Sequence, residues 1–513
     1  MYFKSLIVIF LVIFFSCTNT KKKEEYIPPQ PSKESGLVLA QTYCGSCHQF
    51  PSPDLIEKEV WKDHVLPKMA RRLGLEPDLF KIYEGIELEE LPIITEAGIY
   101  PEKPVMAKED WQKIVKYYLD NAPDKPLEQA KKEKVEVGLE SFTVKNLYGL
   151  ANKAPHVTLV KFNPAQNDML VAFRSQNSYL KRFDLNLMKK DSLAVSSPIA
   201  DINVKGNDLR LLTMGIMDPN DQLKGGLTFV NSQNQQNNVL KNLQRPVQMS
   251  YGDLNQDGTE DVVICGFGNE LGKLAWYEGK AMKEHILKLI PGARNTVIKD
   301  MNGDKLLDII VLMSQAREGV FIFYNKGNGN FDEQQVLEFP SIYGSSYLDL
   351  IDFNKDGYQD IIYTNGDNAD LSISLKKYHG VRIFLNDGKG NFKQSYFFPM
   401  FGASKALALD FDLDGDIDIA AISYFTNPKQ KPNEGFVLLN NQGNNTFKVS
   451  TFKEANQGRW LVMDVADMDK DGDSDIILGS FLQNGFSDLV ETKFKNNLPP
   501  SVIVLENNRR TKK

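Results

Sequence analysis

The chain has 513 residues, of which 42% are hydrophobic, 25% are charged and 10% are aromatic. This composition is that of ordinary globular protein, and it excludes both global disorder and a membrane protein with many spans. The formal charge of −7 gives no general attraction for nucleic acid, whose binding proteins are usually basic. The four cysteines are too few for a disulfide-rich secreted scaffold of this length.

The amino terminus predicts an export signal. Residues 6–15 are an unbroken apolar run after Lys4, too short to cross a bilayer as a helix and typical of a signal-peptide core. The next residues, Phe14-Phe15-Ser16-Cys17, resemble a bacterial lipobox. The resemblance implies a signal peptide over 1–16, a lipid on Cys17 and a flexible tether over 17–35, with ordinary signal cleavage as the alternative. It also implies an outer-membrane lipoprotein of a Gram-negative bacterium, on the periplasmic side or at the cell surface.

Residues 44–48 carry a CxxCH motif, Cys44-Gly45-Ser46-Cys47-His48. Two thiols on one helical turn can each add to a vinyl group of haem, and the adjacent histidine then binds the iron from one side. A thioredoxin-like redox pair or half of a zinc site would bring a βαβ pattern or a second CxxC, and the sequence has neither. The motif therefore predicts covalent haem c on Cys44, Cys47 and His48.

Residues 36–122 resemble a small all-α cytochrome c domain. We predict its helices over Leu37–Tyr43, 59–73 and Glu109–Asp120, the last with apolar residues at i, i+3, i+4 spacing. A similarity to haem domains fused to propeller repeats favours Met69 as the sixth iron ligand. Met106, directly before the last helix, is the alternative, although its position equally fits a hydrophobic staple on that helix. His64 ranks below both methionines.

Five nine-residue segments beyond residue 142 match one another. They cover 253–261, 300–308, 352–360, 410–418 and 467–475, and their first aspartates are 47, 52, 58 and 57 residues apart. Carboxylate or amide oxygens stand at positions 1, 3, 5 and 9, and a glycine that permits a sharp turn stands at position 6 of all but the second copy, which has Lys305. Oxygen donors at this spacing suit Ca²⁺ better than Mg²⁺, which demands a stricter octahedron. The predicted ligands are Asp253, Asn255, Asp257, Asp261, Asp300, Asn302, Asp304, Asp308, Asp352, Asn354, Asp356, Asp360, Asp410, Asp412, Asp414, Asp418, Asp467, Asp469, Asp471 and Asp475.

A short apolar strand follows each of these segments, and a second strand and a glycine-asparagine hairpin come next. Several short strands per unit describe the blade of a propeller. The motifs resemble FG-GAP/VCBS repeats, the units of the integrin α-subunit propeller. The resemblance implies an all-β propeller with calcium-binding loops over 142–513, and its length at about 53 residues per repeat gives seven blades.

Two degenerate blades must precede Asp253. The candidates are Leu159–Phe173 and Met214–Val230, where we expect no ion because too few acidic oxygens remain in register. Those that remain are Asn163, Asn167 and Asp168 in the first stretch, and Asp218, Asn220 and Asp221 in the second. A strand near Phe142 is expected to close the ring by pairing with one over Ser501–Leu505, which leaves no open edge.

Three long loops between second and third strands predict a recognition surface. They are Thr364–Gly380, Thr426–Glu434 and Gln483–Pro500, and they should share the face opposite the calcium loops. The first mixes acids, amides, bases and aromatics around His379, which suits a polysaccharide or protein ligand. Solvated loop polarity explains the same residues.

These features predict a membrane-anchored cytochrome that passes single electrons to a redox partner protein. A linker over 123–141 joins its haem domain to a propeller that docks a partner or ligand. A haem-coupled oxidoreductase with its substrate on the propeller face is one alternative, although the sequence has no nucleotide fingerprint and only four tryptophans. An adhesion lipoprotein is the other. We expect electron transfer rather than a substrate-specific enzyme.

Overall fold

The computed structural model describes residues 26–149, 154–174, 178–368, 374–427, 429–482 and 498–510. The signal peptide and Cys17 lie outside the described residues. Within the described part, the chain up to residue 122 is helical, and the remainder forms seven sheets. No helix in this part is long and apolar enough to cross a membrane.

Six α-helices form the amino-terminal region. They cover Gly36–Tyr43 (α1), Lys58–Val60 (α2), Leu66–Arg72 (α3), Leu79–Ile82 (α4), Leu91–Glu96 (α5) and Lys108–Asn121 (α6). A π-helical turn over Trp61–Val65 joins α2 to α3, so the predicted middle helix is continuous. The sequence did not predict α4 and α5, which are too short to show a helical period. Short 3-10 turns cover Pro53–Leu55, Gly279–Ala281 and Ala455–Gln457.

The first and last helices of this region cross closely at Gly36. A Cβ atom at Gly36 would lie 2.2 Å from the carbonyl oxygen of Lys113 and 2.9 Å from the Cβ of Tyr117, so only glycine permits the approach. Trp61 and Tyr118 fill the core beside this crossing, with ring centroids 4.3 Å apart. The two helices are thereby held against one apolar cluster.

Twenty-nine strands are described, and most of them build the seven blades. Two strands come before blade 1 in the chain, Glu136–Val137 (β1) and Phe142–Leu147 (β2). Blade 1 has Val157–Asn163, Asp168–Phe173, Ser178–Phe183 and Lys189–Val195 (β3 to β6); blade 2 has Ile199–Lys205, Asp208–Thr213, Gly225–Val230 and Gln236–Leu243 (β7 to β10). Blade 3 has Pro246–Gly252, Asp261–Gly266, Lys273–Glu278 and Lys283–Lys288 (β11 to β14); blade 4 has Ala293–Lys299, Asp308–Met313, Gly319–Asn325 and Phe331–Glu338 (β15 to β18). Blade 5 has Ser345–Ile351, Asp360–Asn365, Gly380–Asn386 and Phe392–Pro399 (β19 to β22); blade 6 has Ala403–Leu409, Asp418–Ser423, Phe436–Asn441 and Phe447–Thr451 (β23 to β26). Blade 7 has Trp460–Ala466, Asp475–Ser480 and Val502–Asn507 (β27 to β29), and β2 is its fourth strand.

The ring closes as the sequence predicts. β2 pairs antiparallel with β29, from Phe142 opposite Asn507 to Leu147 opposite Val502. In each of the five blades with an acidic loop, the second strand is buried along its whole length, as expected for a continuous apolar run with sheets on both sides. The fold is therefore a seven-bladed propeller with no open edge at the closure.

The predicted stretch Met214–Val230 lies in blade 2, but its polar cluster is not at the turn that corresponds to the acidic loops. In blade 2 the first and second strands are joined by a tight hairpin in which Lys205 pairs with Asp208. Asp218, Asn220 and Asp221 instead lie between β8 and β9, at the opposite end of the blade. The hairpin has no acidic motif that would mark this turn in the sequence, so the polar cluster at Asp218, Asn220 and Asp221 is the nearest visible signal. In blade 1, Asn163 and Asp168 do lie at the expected turn.

The linker over 123–141 is packed against the propeller. The ammonium of Lys132 lies 2.7 Å from the carboxylate of Glu434, with both side chains only 9% exposed, and it also donates to the carbonyl of Pro399. Farther along, β1 adds to blade 6 as a parallel fifth strand beside β26. These contacts hold the linker against blades 5 and 6 of the propeller.

The helical region also docks directly on the propeller, on the face that carries the loops between second and third strands. Gln49 forms an isolated parallel bridge with Pro340, and Ile342 is buried in the apolar cluster of the helical region. Polar contacts surround this junction: Glu57 with Ser374, Asp54 with Lys377, Arg72 with Glu270, and Glu90 with the backbone of Asp221.

Candidate metal centres

The five acidic loops, residues 253–261, 300–308, 352–360, 410–418 and 467–475, share one backbone geometry. Position 6 has a left-handed φ in each loop, between +69° and +98°. Lys305 adopts this conformation at +69° although it carries a Cβ, so the loop without glycine keeps the same turn. Position 4 is left-handed as well, and only one of its residues is glycine, Gly303. The five loops therefore turn the chain in the same way at positions 4 and 6.

The aspartate at position 9 is a buried brace in every loop. In blade 5, the carboxylate of Asp360 accepts the backbone N–H of Phe353 at 2.9 Å and that of Asn386 at 2.8 Å. The same pair of bonds, to loop position 2 and to the end of the third strand, recurs at Asp261, Asp308, Asp418 and Asp475. This residue therefore ties the loop to its own blade, in addition to any role as an ion ligand.

A repeated asparagine at the end of the third strand extends this brace, and the sequence analysis missed it. The amide of Asn325 donates to the carbonyl of Leu307 in its own loop and to that of Leu254 in the loop of blade 3. Asn507 makes the equivalent bridge from blade 7 to Phe411 in blade 6. The signal was present as a recurring Asn at 325, 386, 441 and 507. The amides of Asn325 and Asn507 therefore each link the acidic loops of two neighbouring blades.

The loops of blades 6 and 7 differ from the others in their unsatisfied oxygens. In blades 3 to 5, position 3 is asparagine, and its amide donates to the carboxylate at position 5. In blades 6 and 7, position 3 is aspartate, and single buried oxygens of Asp410, Asp467 and Asp471 have no hydrogen-bond partner. The carboxylates of Asp410, Asp412 and Asp418, and those of Asp467, Asp469 and Asp471, converge to within 4.8 Å in each loop. Partnerless buried oxygens beside like charges fit a bound hard cation.

Burial also changes the acidity of these two loops. Desolvation raises the pKa of Asp418 to about 7, and the carboxylates of Asp412 and Asp414 act in the same direction. Desolvation likewise raises the pKa of Asp475 to about 7, helped by Asp469 and Asp473. Without a cation, each loop therefore holds more negative charge than its surroundings stabilise.

The CxxCH residues follow directly on α1. Cys44 caps the helix through its N–H to the carbonyl of Ala40, packs against the core of the helical region, and has a thiol whose pKa burial raises to about 11. Cys47 is exposed, and neither cysteine is in a disulfide. A redox-active pair needs a thiol of lowered pKa, so the raised pKa of the Cys44 thiol differs from that of a thioredoxin-like site.

A hydrogen bond to the backbone orders the imidazole of His48. Its Nδ1 lies 3.0 Å from the carbonyl oxygen of Gln49, which can only accept, so Nδ1 carries the proton. Nε2 is then the free lone pair, and desolvation lowers the pKa of His48 so that the neutral ring predominates. The donor set of Cys44, Cys47 and His48 thus fits a covalently attached haem.

The two candidate methionines occupy different environments in the same cluster. Met106 is fully buried in the core, directly before α6. Met69 is half-buried at the edge of that core, on α3, and His64 is exposed. Met69 therefore keeps accessible surface, whereas Met106 packs as a core side chain.

The predicted recognition surface is partly covered. The three long loops do join second to third strands, but residues 369–373, 428 and 483–497 lie outside the described residues. The loop of blade 5 packs under the helical region through Ser374 and Lys377. His379 is fully buried, and desolvation holds its pKa well below the usual range. His379 therefore does not contribute to an exposed surface, and the described part of this loop contacts the helical region at Ser374 and Lys377.

Comparison with known proteins supports the repeat. Residues 300–363 and 410–478 match the model of the FG-GAP-like repeat. These stretches contain the acidic loops of blades 4, 5, 6 and 7 with the second strands that follow them. No curated protein matches the chain. Among solved structures, an S. cerevisiae complex of variant Dbp5 and Gle1 with Nup159, IP6 and ADP contains a chain that matches at 12% identity and a TM-score of 0.43, over 72% of this chain and 97% of that one.

Proposed function

We propose that the protein is an electron-transfer cytochrome in which covalent haem c is held by Cys44, Cys47 and His48. The observation that carries the proposal is the CxxCH motif on a helical turn with the Nδ1–H of His48 donated to the carbonyl of Gln49. The haem would supply a one-electron couple at its iron. We assign Met69 as the sixth ligand, with Met106 as the alternative, and a filled sixth position would favour electron transfer over small-molecule activation.

The chain's own residues set the surroundings of that haem. Cys44 packs against the apolar cluster that contains Trp61 and Tyr118, so a haem held by this cysteine would have low-dielectric protein beside it. Ile342 of the propeller enters the same cluster. The propeller therefore contributes to the haem environment as well as to partner binding.

The propeller has FG-GAP-like repeats, a fold suited to ligand or partner binding in general. We propose that its five acidic loops bind Ca²⁺, most tightly in blades 6 and 7, where partnerless oxygens converge. The ions would relieve the repulsion among the carboxylates and hold the blades together. A lipid on Cys17 would attach the whole protein to the outer membrane.

Haem attachment is tested on protein matured in a host with c-type haem assembly. We expect a Soret band, a pyridine haemochrome spectrum of the bis-thioether type and a mass increase of one haem. Cys44→Ala combined with Cys47→Ala should abolish covalent attachment. Cys265→Ala, which changes a buried thiol of the propeller, is the matched control and should keep it. Wild-type protein that matures without haem would exclude the cytochrome proposal.

The sixth ligand is tested in the same preparation. Met69→Ala should shift the reduced spectrum and lower the midpoint potential, because loss of a thioether ligand destabilises the ferrous state. Met106→Ala should mainly destabilise the fold, since Met106 is a core residue. If Met106→Ala alone changes the spectrum, the assignment passes to Met106.

Calcium binding is tested by calorimetry and by thermal unfolding with chelator. Ca²⁺ should raise the melting temperature, and Mg²⁺ at the same concentration should do so less. Asp410→Asn with Asp467→Asn should remove the tightest binding. An unchanged melting temperature in chelator would show that the loops do not need an ion.

A further inference from the structure

The segment that follows α3, residues 76–89, presents large apolar side chains to solvent. Phe80 is 91% exposed, Leu88 is 83% exposed and Leu79 is 69% exposed. The helix α4, which carries two of them, has no buried residue. Isolated exposed apolar residues are ordinary, but three on one short segment mark an interaction site. We call residues 76–89 the acidic flap.

The same segment is rich in carboxylates. The acidic flap contains Glu76, Asp78, Glu84, Glu87 and Glu89 against the single base Lys81. Arg71 lies 2.8 Å from Glu84 and offsets one of these charges. A net charge of −4 within the flap compares with −7 for the whole chain, so the negative charge is concentrated here.

The acidic flap is held in place at both ends. Asp78 accepts the N–H of Phe80 at 3.0 Å and so fixes the start of α4. At the other end, the buried carboxylate of Glu90 accepts the N–H of Glu87 at 3.0 Å and also contacts the backbone N–H of Asp221 in the propeller. Tyr83 packs edge-on against Tyr100 between them. A preformed patch binds with less loss of conformational entropy than a mobile one.

We propose that the acidic flap is the docking surface for a redox partner protein with a basic face and an apolar centre. The proposal rests on the proposed function, because the flap continues directly from α3, which carries Met69. The negative charge of the flap favours a basic protein over two other partners. A second copy of the chain docked flap to flap would bring like charges together, and an anionic lipid surface would be repelled. Apolar contact at Phe80 supplies short-range affinity, and the carboxylate rim supplies orientation and encounter rate.

The test uses the full haem-loaded chain with a small basic cytochrome c as probe. Binding is measured by titration calorimetry, and electron transfer by stopped flow, at several ionic strengths. Glu87→Gln with Glu89→Gln should weaken binding and slow transfer roughly 3- to 10-fold at low salt, with the difference vanishing at high salt. Phe80→Ser should weaken binding at every ionic strength.

The matched control is Glu128→Gln with Glu338→Gln, which removes the same charge from exposed positions outside the flap. This variant should behave as wild type. Equal effects from both charge variants would mean that net charge alone acts, and no effect from either flap variant would overturn the docking site. If Phe80→Ser alters the Soret band, Phe80 belongs to the haem pocket. If wild type forms a concentration-dependent dimer that Phe80→Ser abolishes, the flap is a contact between two copies of the chain. Either outcome overturns the proposal.

The two proposals fail in different ways. If the protein carries no haem, the spectrum shows it before any partner is added, and calorimetry with the basic probe still tests the flap. If haem is present and calorimetry detects no binding of the probe that depends on the flap, the cytochrome proposal stands and the docking surface does not.

Discussion

Replacing Asp360 by asparagine tests whether the position-9 aspartates brace the blades independently of any ion. The carboxylate is fully buried and accepts two backbone N–H groups, from Phe353 at 2.9 Å and from Asn386 at 2.8 Å. Asparagine can accept only one of them, and its own NH₂ then faces the other donor. Leaving one buried N–H without a partner and losing a charged acceptor should cost about 2–3 kcal/mol in the free energy of unfolding.

The assay is urea unfolding in chelator and again with saturating Ca²⁺. Asp360→Asn should lose this stability in both conditions. Asp356→Asn, at exposed position 5 of the same loop, is the control: in chelator it should change stability by about 0.5 kcal/mol or less, as expected for a surface substitution. A loss for Asp360→Asn that appears only with Ca²⁺ would refute the brace and make position 9 solely an ion ligand.

Three further changes test buried features of the propeller and its contacts. Burial raises the pKa of Glu318 to about 8, so the folded protein holds a proton that the unfolded chain releases near 4.5. The free energy of unfolding should therefore fall as pH rises from about 5 to 8. Glu318→Gln should flatten this dependence when unfolding is measured at several pH values. Ile342→Ala should destabilise the helical region by about 2–4 kcal/mol, read from Trp61 fluorescence, while calorimetry shows an unchanged propeller transition. Glu434→Ala should leave the ammonium of Lys132 buried without its carboxylate and lower the free energy of unfolding by about 3 kcal/mol. Proteolysis of the linker should then be faster, and cleavage as slow as in wild type would contradict this.

The propeller could be predicted because its information is local and repeated. Each acidic loop specifies its own turn through oxygens that accept nearby backbone N–H groups, and each following apolar run specifies a buried strand. Five copies at similar spacing then give the blade length and the number of blades. The same reasoning found α1, α6 and the middle helix, since their apolar spacing or motif lies within a few turns of chain.

The tertiary structure decided what depends on residues far apart in sequence. Blade 2 replaces its loop by a tight hairpin, which local inspection could not separate from the polar cluster at Asp218. The loop that precedes His379 contacts a helical region more than 250 residues earlier in the chain, as the bond between Ser374 and Glu57 shows, and no local pattern predicts that contact. Likewise, Asn325 acquires its role only because the ring places the loop of the preceding blade beside it. Short-range hydrogen bonds and hydrophobic periodicity depend on residues close together in sequence and can be predicted from it. Which surfaces become buried depends on contacts between distant segments, which only the tertiary structure determines.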